Sequence, residues 1–235
     1  MTGKLSELLL GVRRKERPIV LIASLPRNDP ALAKAALEGG ADVVKLHINL
    51  HHRASGTKIG SLEEELLALQ EILKLWQGKP VGIVPGTRDT VNPEEMARLA
   101  ALGFDFLSLY FSDAPVGLLP PSSQIERMLA FSSADFPEMA ESLAKLDVQV
   151  CELSIMAADT YGQPLTAHDL VRYAAFRRHT NLPLVVPSQH RILPASLPEL
   201  ARIGIEGVMP GSIVCGDTPE SWKNAFQKFS LARED

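Results

Sequence analysis

Three short runs of the sequence set a chemically active side chain between apolar neighbours. In Val43-Val44-Lys45-Leu46-His47-Ile48 the positions Val44, Leu46 and Ile48 are uniformly apolar, so a strand sends Val43, Lys45 and His47 to its other face. In Val150-Cys151-Glu152-Leu153-Ser154-Ile155 the same parity separates Cys151, Leu153 and Ile155 from Glu152 and Ser154. Across Phe106 to Ser112 it separates Leu107, Leu109 and Phe111 from Ser108, Tyr110 and Ser112. A lysine and a glutamate on inner faces need partners, because burying either charge alone costs several kcal/mol. Lys45 and Glu152 facing one another either fix strand register as a buried ion pair or transfer protons. Partial desolvation beside an opposite charge is how such groups are tuned for acid/base work near neutral pH. His47 and Tyr110 are then candidates to polarise oxygens of a substrate.

A second set of residues suits an anion. Leu184-Val185-Val186 runs into Pro187-Ser188-Gln189-His190-Arg191, and Gly207-Val208-Met209 runs into Pro210-Gly211-Ser212-Ile213. Gly211 permits close backbone approach, Ser188 and Ser212 offer hydroxyls, and His190 or Arg191 offers charge. Together they are the expected phosphate-binding residues, set where backbone N–H groups at helix starts meet an anion. The run His47-x-x-x-His51-His52 invites a metal reading, but no nearby Asp, Glu or Cys completes a ligand set, so no metal is expected. Arg53, Ser55, Gly56, Thr57 and Lys58 make the loop beyond it polar and flexible, fit for an anionic ligand or for solvent.

The elements that must position these side chains repeat one grammar. Leu37 to Leu46, Leu102 to Leu109 and Ile203 to Met209 each read as a helix closed by a glycine and followed at once by an apolar run. Strand-length runs occur at Ile19 to Ser24, Val43 to Ile48, Val81 to Val84, Phe106 to Phe111, Met128 to Ser132, Val148 to Ile155, Leu184 to Val186 and Gly207 to Met209. Helix starts fall between them. Asp29-Pro30 and Asn92-Pro93 set a capping side chain before a first-turn proline, Ser61-x-x-Glu64 and Ser196-x-x-Glu199 are capping boxes, and Thr166 and Thr218 open two more. Eight alternating units predict an α/β protein of the (β/α)8 TIM-barrel class in one domain over residues 1–235. An open doubly wound sheet is the alternative, weakened because no G-x-G-x-x-G follows the first strand. No cofactor is expected. The fourth crossover is irregular: Asp113 to Gln124 holds Pro115, Gly117, Pro120 and Pro121, which predicts a loop, and a candidate lid, in place of a helix.

Composition bounds the partners. With 24 Lys and Arg against 28 Asp and Glu, the net charge of −4 lacks the basic excess that a nucleic-acid binder needs. No apolar run is long enough to span a membrane, and Leu8 to Leu10 run straight into Arg13, Arg14 and Lys15, the wrong polarity for a secretion signal. The expectation is a cytoplasmic protein without membrane or nucleic-acid partners. Only Cys151 and Cys215 occur, both among apolar residues, so neither a disulfide framework nor a cysteine metal site is expected.

Leu129-Ala-Phe-Ser-Ser-Ala-Asp135, Asn181 to Ile192 and Leu200 to Ile213, with Glu38 to Asp42 and Pro80 to Val84, resemble the ribulose-phosphate-binding class of barrels. Within that class the chain is most similar to the N-acetylmannosamine-6-phosphate 2-epimerase family. The likeness implies a barrel, phosphate binding and a homodimer. It departs where that family carries a catalytic lysine after the third strand, here Pro85-Gly86-Thr87-Arg88, and a catalytic glutamate after the seventh, here Pro187-Ser188-Gln189. The leading expectation is an epimerase or isomerase of a small phosphorylated sugar or related metabolite, with Lys45, Glu152, His47 and Tyr110 at the chemistry. A Schiff-base aldolase or lyase using Lys45, and a barrel that binds a phosphoryl ligand without catalysis, are the alternatives.

Overall fold

The computed structural model describes residues 3–52, 54–118 and 125–234. The strands are β1 (Val20–Ser24), β2 (Val43–His47), β3 (Leu50–His52), β4 (Thr57–Ile59), β5 (Val81–Val84), β6 (Phe106–Tyr110), β7 (Glu126–Phe131), β8 (Val150–Leu153), β9 (Leu184–Pro187) and β10 (Gly207–Met209). All but β3 and β4 pair in parallel and close into a barrel in the order β1-β10-β9-β8-β7-β6-β5-β2. Helix α1 (Lys4–Arg13) precedes the barrel. Around it follow α2 (Pro30–Glu38), α3 (Leu62–Leu75), α4 (Met96–Leu102), α5 (Ala140–Leu143), α6 (Ala167–Arg178), α7 (Leu197–Arg202), α8 (Ser212–Cys215) and α9 (Pro219–Ala232). The repeated glycine junction is real: Gly40, Gly103 and Gly204 take φ of 100°, 103° and 87°, a left-handed turn that other residues rarely adopt.

Most expected helix starts form as capped ends. Asp29 Oδ1 accepts from the Ala31 amide at 2.8 Å, and Glu64 Oε2 accepts from the Ser61 amide at 2.7 Å in a reciprocal box. Thr166 pairs with Asp169 and Thr218 with Ser221 in the same way. Ser196 departs from the expected box. Its hydroxyl accepts from the Leu193 amide at 3.3 Å, which caps a preceding 3-10 turn, Pro194–Ser196, in place of α7.

Two layers of apolar side chains result. Strand residues on the outer face, such as Leu21, Val44, Leu46, Ile83, Leu107, Leu109, Cys151 and Leu153, pack with the helices. Inside the barrel, Val20, Ile22, Val43, Phe106, Met128, Val150, Val185 and Met209 form a separate cluster, closed at its N-terminal end by Leu5 and Leu9 of α1. The Phe106 ring occupies the space where a Cβ on Gly82 would stand, 2.1 Å from the nearest ring carbon, so only glycine fits there. Strand β7 begins two residues earlier than the apolar run suggests, at Glu126-Arg127. Both charges are accommodated because both are satisfied. Glu126 accepts from the first-turn amides of Leu5 and Ser6 at 2.7 and 3.1 Å, the positive end of α1. Arg127 donates to the carbonyls of Leu118 and Asp147 at 2.9 and 3.0 Å.

After β2 the chain is not the flexible loop expected. β3 and β4 form an antiparallel hairpin with Leu50 opposite Ile59 and His52 opposite Thr57. Asn28 and Glu65 clamp its base: Asn28 Nδ2 donates to the His47 carbonyl at 2.7 Å and to Glu65 Oε2 at 2.9 Å, while the Gly60 amide donates to Glu65 Oε1 at 3.0 Å. Arg53 lies outside the described residues. In the fourth crossover the described part holds a single 3-10 turn, Val116–Leu118, and no α-helix. The rest of the candidate lid, residues 119–124, lies outside the described residues. No helix among the described residues is long and apolar enough to cross a membrane.

Candidate functional site

At the C-terminal ends of the barrel strands a cavity of about 170 Å³ opens, and Lys45, His47, Ser108, Tyr110, Glu152 and Ser154 all line it. Strand parity therefore places six inner-face residues as read from the sequence. Ser112 departs from that reading. β6 ends at Tyr110 and the chain turns, with the Asp113 amide donating to the Tyr110 carbonyl at 2.9 Å, so Ser112 is exposed.

Lys45 and Glu152 meet across the barrel. Lys45 Nζ donates to Glu152 Oε2 at 3.1 Å, and their side chains are 7% and 6% exposed. Ser108 Oγ also donates to Oε2, at 3.0 Å, and Ser154 Oγ donates to Oε1 at 2.6 Å. The carboxylate is thus held from both oxygens. An ammonium group carries three donors, and Lys45 finds one protein acceptor among the described residues. Its other two protons are left for whatever fills the cavity.

The two histidines beside this pair are neutral. His47 is buried, and burial first, then the neighbouring His52 and Lys45, push its pKa well below the usual imidazole value. Its Nδ1 is buried with no hydrogen-bond partner among the described residues. His52 is pulled down to about 4 by burial, by Lys45 and by His51. Its Nδ1 pairs with Ser55 Oγ at 2.8 Å, and its ring meets His47 edge-on at 4.8 Å between centroids. The hairpin thereby presents Leu50, His51 and His52 to the cavity. No three His, Cys, Asp or Glu side chains among the described residues converge as a metal site would require.

The wall formed by the ends of β9 and β10, between β8 and β1, carries part of the expected phosphate set. Ser188, Gly211 and Ser212 line the cavity, together with Ile213. Ser188 Oγ accepts from the Gly211 amide at 3.0 Å, and Ser212 Oγ is buried without a partner among the described residues. Ser212 and Ile213 begin α8, where amides have no acceptor within the helix. His190 and Arg191 are not part of this wall. After Pro187 only Ser188 and Gln189 turn inward, and the chain then runs beside the β8–α6 loop, bridging Arg191 to Pro164. His190 is consumed there, with Nδ1 against Asp169 Oδ2 and Nε2 against Thr160 Oγ1, both at 2.9 Å, and Arg191 is exposed. Hydrogen bonds from His190 and Thr166 hold the Asp169 carboxyl below its usual value against the opposing effect of burial.

Among the lining residues not read as site residues from the sequence are Ser24, Tyr161 and Gln189. Ser24 follows from the parity of Val20, Ile22 and Ser24 on β1. No such signal marks Tyr161 or Gln189, which reach the cavity from loops.

An eight-stranded parallel barrel with polar side chains gathered at its C-terminal strand ends is a (β/α)8 barrel arranged as enzymes of that fold arrange their sites. Comparison of structures agrees on the fold. A structure of Mycobacterium tuberculosis tryptophan synthase matches with a TM-score of 0.75 and 15% identity over 99% of each chain. A mutant tryptophan synthase alpha-subunit from Pyrococcus furiosus matches with a TM-score of 0.69 and 16% identity, covering 93% of this chain and 99% of that one. Thiamine phosphate pyrophosphorylase from Pyrococcus furiosus matches with a TM-score of 0.66 and 15% identity, covering 92% of this chain and 96% of that one. No family model and no curated protein matches the sequence.

Proposed function

We propose that the protein is an isomerase or epimerase of a small phosphorylated metabolite, working by proton transfer next to a carbonyl. The observation that carries this reading is the buried Lys45–Glu152 pair on the cavity wall, with two ammonium protons that find no acceptor among the described residues. Passing one ammonium proton to Glu152 Oε2 leaves a neutral amine and a neutral carboxyl. The amine lone pair then takes the proton from the carbon beside the carbonyl, while a donor from the His47 or Tyr110 side polarises the carbonyl oxygen. Return of the proton to the neighbouring carbon, while that carbon's hydroxyl proton passes to the former carbonyl oxygen, completes an isomerisation; return to the same carbon on its other face completes an epimerisation. Because Nζ and Oε2 are 3.1 Å apart, the two groups approach a bound carbon from one side. That favours a proton shift along one face over an inversion, which needs a second group on the other face of the bound carbon. Ser188, Gly211 and Ser212 are the proposed holders of the phosphoryl group. The resemblance to phosphate-binding barrels and a fold neighbour named for a thiamine phosphate support that part.

Incubating the protein in D₂O with a panel of three- to six-carbon sugar phosphates, and following exchange at the carbon next to the carbonyl by NMR, tests the reading. One panel member should exchange and convert, and Lys45→Met should abolish both. Binding without exchange across the panel would overturn catalysis and leave a ligand-binding barrel. The accessible Nζ also favours a second reading, in which the amine condenses with the carbonyl and expels water to form an imine. Borohydride reduction separates the two, since only an imine leaves a covalent adduct on Lys45.

A further inference from the structure

The loop after β8 carries a tyrosine whose hydroxyl proton has no destination among the described residues. Gln189 dictates this. Its Oε1 accepts from the Met156 amide at 3.0 Å, and its Nε2 donates to the Ser154 carbonyl at 3.2 Å and to Tyr161 Oη at 2.6 Å. Turning the amide over would set its NH₂ against the Met156 N–H and its oxygen against the Ser154 carbonyl, so two backbone groups determine which end meets the tyrosine. Tyr161 Oη therefore accepts from Gln189, and its own proton must be given elsewhere. Tyr161 lines the cavity that holds Lys45 and Glu152.

The loop that presents this tyrosine is fastened to its neighbour at several points. The Gly162 amide donates to the Gln189 carbonyl at 2.8 Å, and the Arg191 amide to the Gln163 carbonyl at 2.7 Å. Thr160 is tied through His190 to Asp169. The His190 contacts that the phosphate expectation did not foresee thus serve to hold Tyr161 in place. Two other groups on the same cavity also offer protons among the described residues: Lys45 keeps two, and Ser188, whose oxygen already accepts from Gly211, keeps one.

We infer that Tyr161 is a substrate-binding donor that selects a ligand presenting an acceptor oxygen without a proton of its own, a carbonyl or a carboxylate, on the β8 side of the cavity. This deepens the proposed function and rests on the cavity being the active site. An ammonium or amine N–H in that place would face a donor and be rejected, since burying unpaired donors is costly.

Binding to the full chain, measured by calorimetry, tests it with probes that differ at one end. 2-Phosphoglycolate and O-phosphoethanolamine share a phosphoryl group and a two-carbon length, and end in a carboxylate and an ammonium. The wild type should bind the carboxylate probe at least about tenfold more tightly, and Tyr161→Phe should weaken that probe about fivefold to tenfold while leaving inorganic phosphate unchanged. If Tyr161→Phe binds 2-phosphoglycolate as the wild type does, the inference is overturned and the active-site reading stands. If phosphate does not bind but glycolate still shows Tyr161-dependent binding by NMR, the phosphoryl reading fails and the donor role stands. If the wild type binds neither glycolate nor 2-phosphoglycolate, both are overturned.

Discussion

Replacing Lys45 by methionine removes a charge and keeps most of the apolar stem. Glu152 would retain the hydroxyl donors of Ser154 at 2.6 Å and Ser108 at 3.0 Å and lose the cation at 3.1 Å. Its side chain is 6% exposed, so water reaches it only through the cavity. Removing one partner of a buried pair costs about 3–5 kcal/mol, and the two retained hydroxyls set the expectation near the lower end, about 3 kcal/mol. At 235 residues each kcal/mol moves the melting midpoint by about 2–4 °C, so Lys45→Met should melt about 6–12 °C below wild type at pH 7. Adding Glu152→Gln should recover most of that loss, because a neutral amide leaves no stranded charge and can still bond both serines. Thermal unfolding of the wild type, both single variants and the double variant gives the coupling directly. Turnover should stay absent in the double variant although its stability returns, which a purely structural pair does not require. A Lys45→Met protein melting within about 2 °C of wild type would refute the reasoning, since breaking a buried pair costs more.

Acid should act through the hairpin. His52 binds a proton only near pH 4 when folded, against about 6.5 when unfolded, so the unfolded chain holds more protons between these values and stability falls as pH drops through that window. The loss at pH 4 is at most about 3 kcal/mol, and less after allowing for partial exposure. Denaturant unfolding of wild type and His52→Gln at pH 7 and pH 4.5 measures it, and an identical pH dependence in the two proteins would disprove the assignment. Gly82→Ala should destabilise the barrel by about 1–3 kcal/mol or more, because the new methyl enters the Phe106 ring. Adding Phe106→Leu should return part of that loss in a denaturant titration, and no recovery would place the strain elsewhere.

Much of this molecule is legible in the order of residues alone. Eight apolar runs, the glycine-terminated helices and most caps are local: a left-handed turn, a capping side chain or an alternating face needs only its neighbours in the chain. Strand parity is local too. It sets Lys45, His47, Ser108, Tyr110, Glu152 and Ser154 opposite the apolar face of their own strands, and closure of the barrel then brings them to one cavity. The rest depends on residues distant in sequence. Glu126-Arg127 falls outside the apolar run from Met128 to Ser132, and joins the strand only because α1 and the turns at Leu118 and Asp147 supply partners. Ser55, Gly56, Thr57 and Lys58 read as part of a flexible polar loop until Asn28 and Glu65 clamp the base of a hairpin there. His190 and Arg191 sit beside a strand end, where charge suggests an anion, yet only the packing of the β9–α7 loop on the β8–α6 loop shows His190 committed to Asp169 and Thr160. Tyr161 becomes a directed donor only because Gln189 is oriented by two backbone groups near β8. Sequence patterns record which way a side chain points along its own element, whereas the partner that takes up its hydrogen bonds is chosen by chain segments that meet only when the barrel closes.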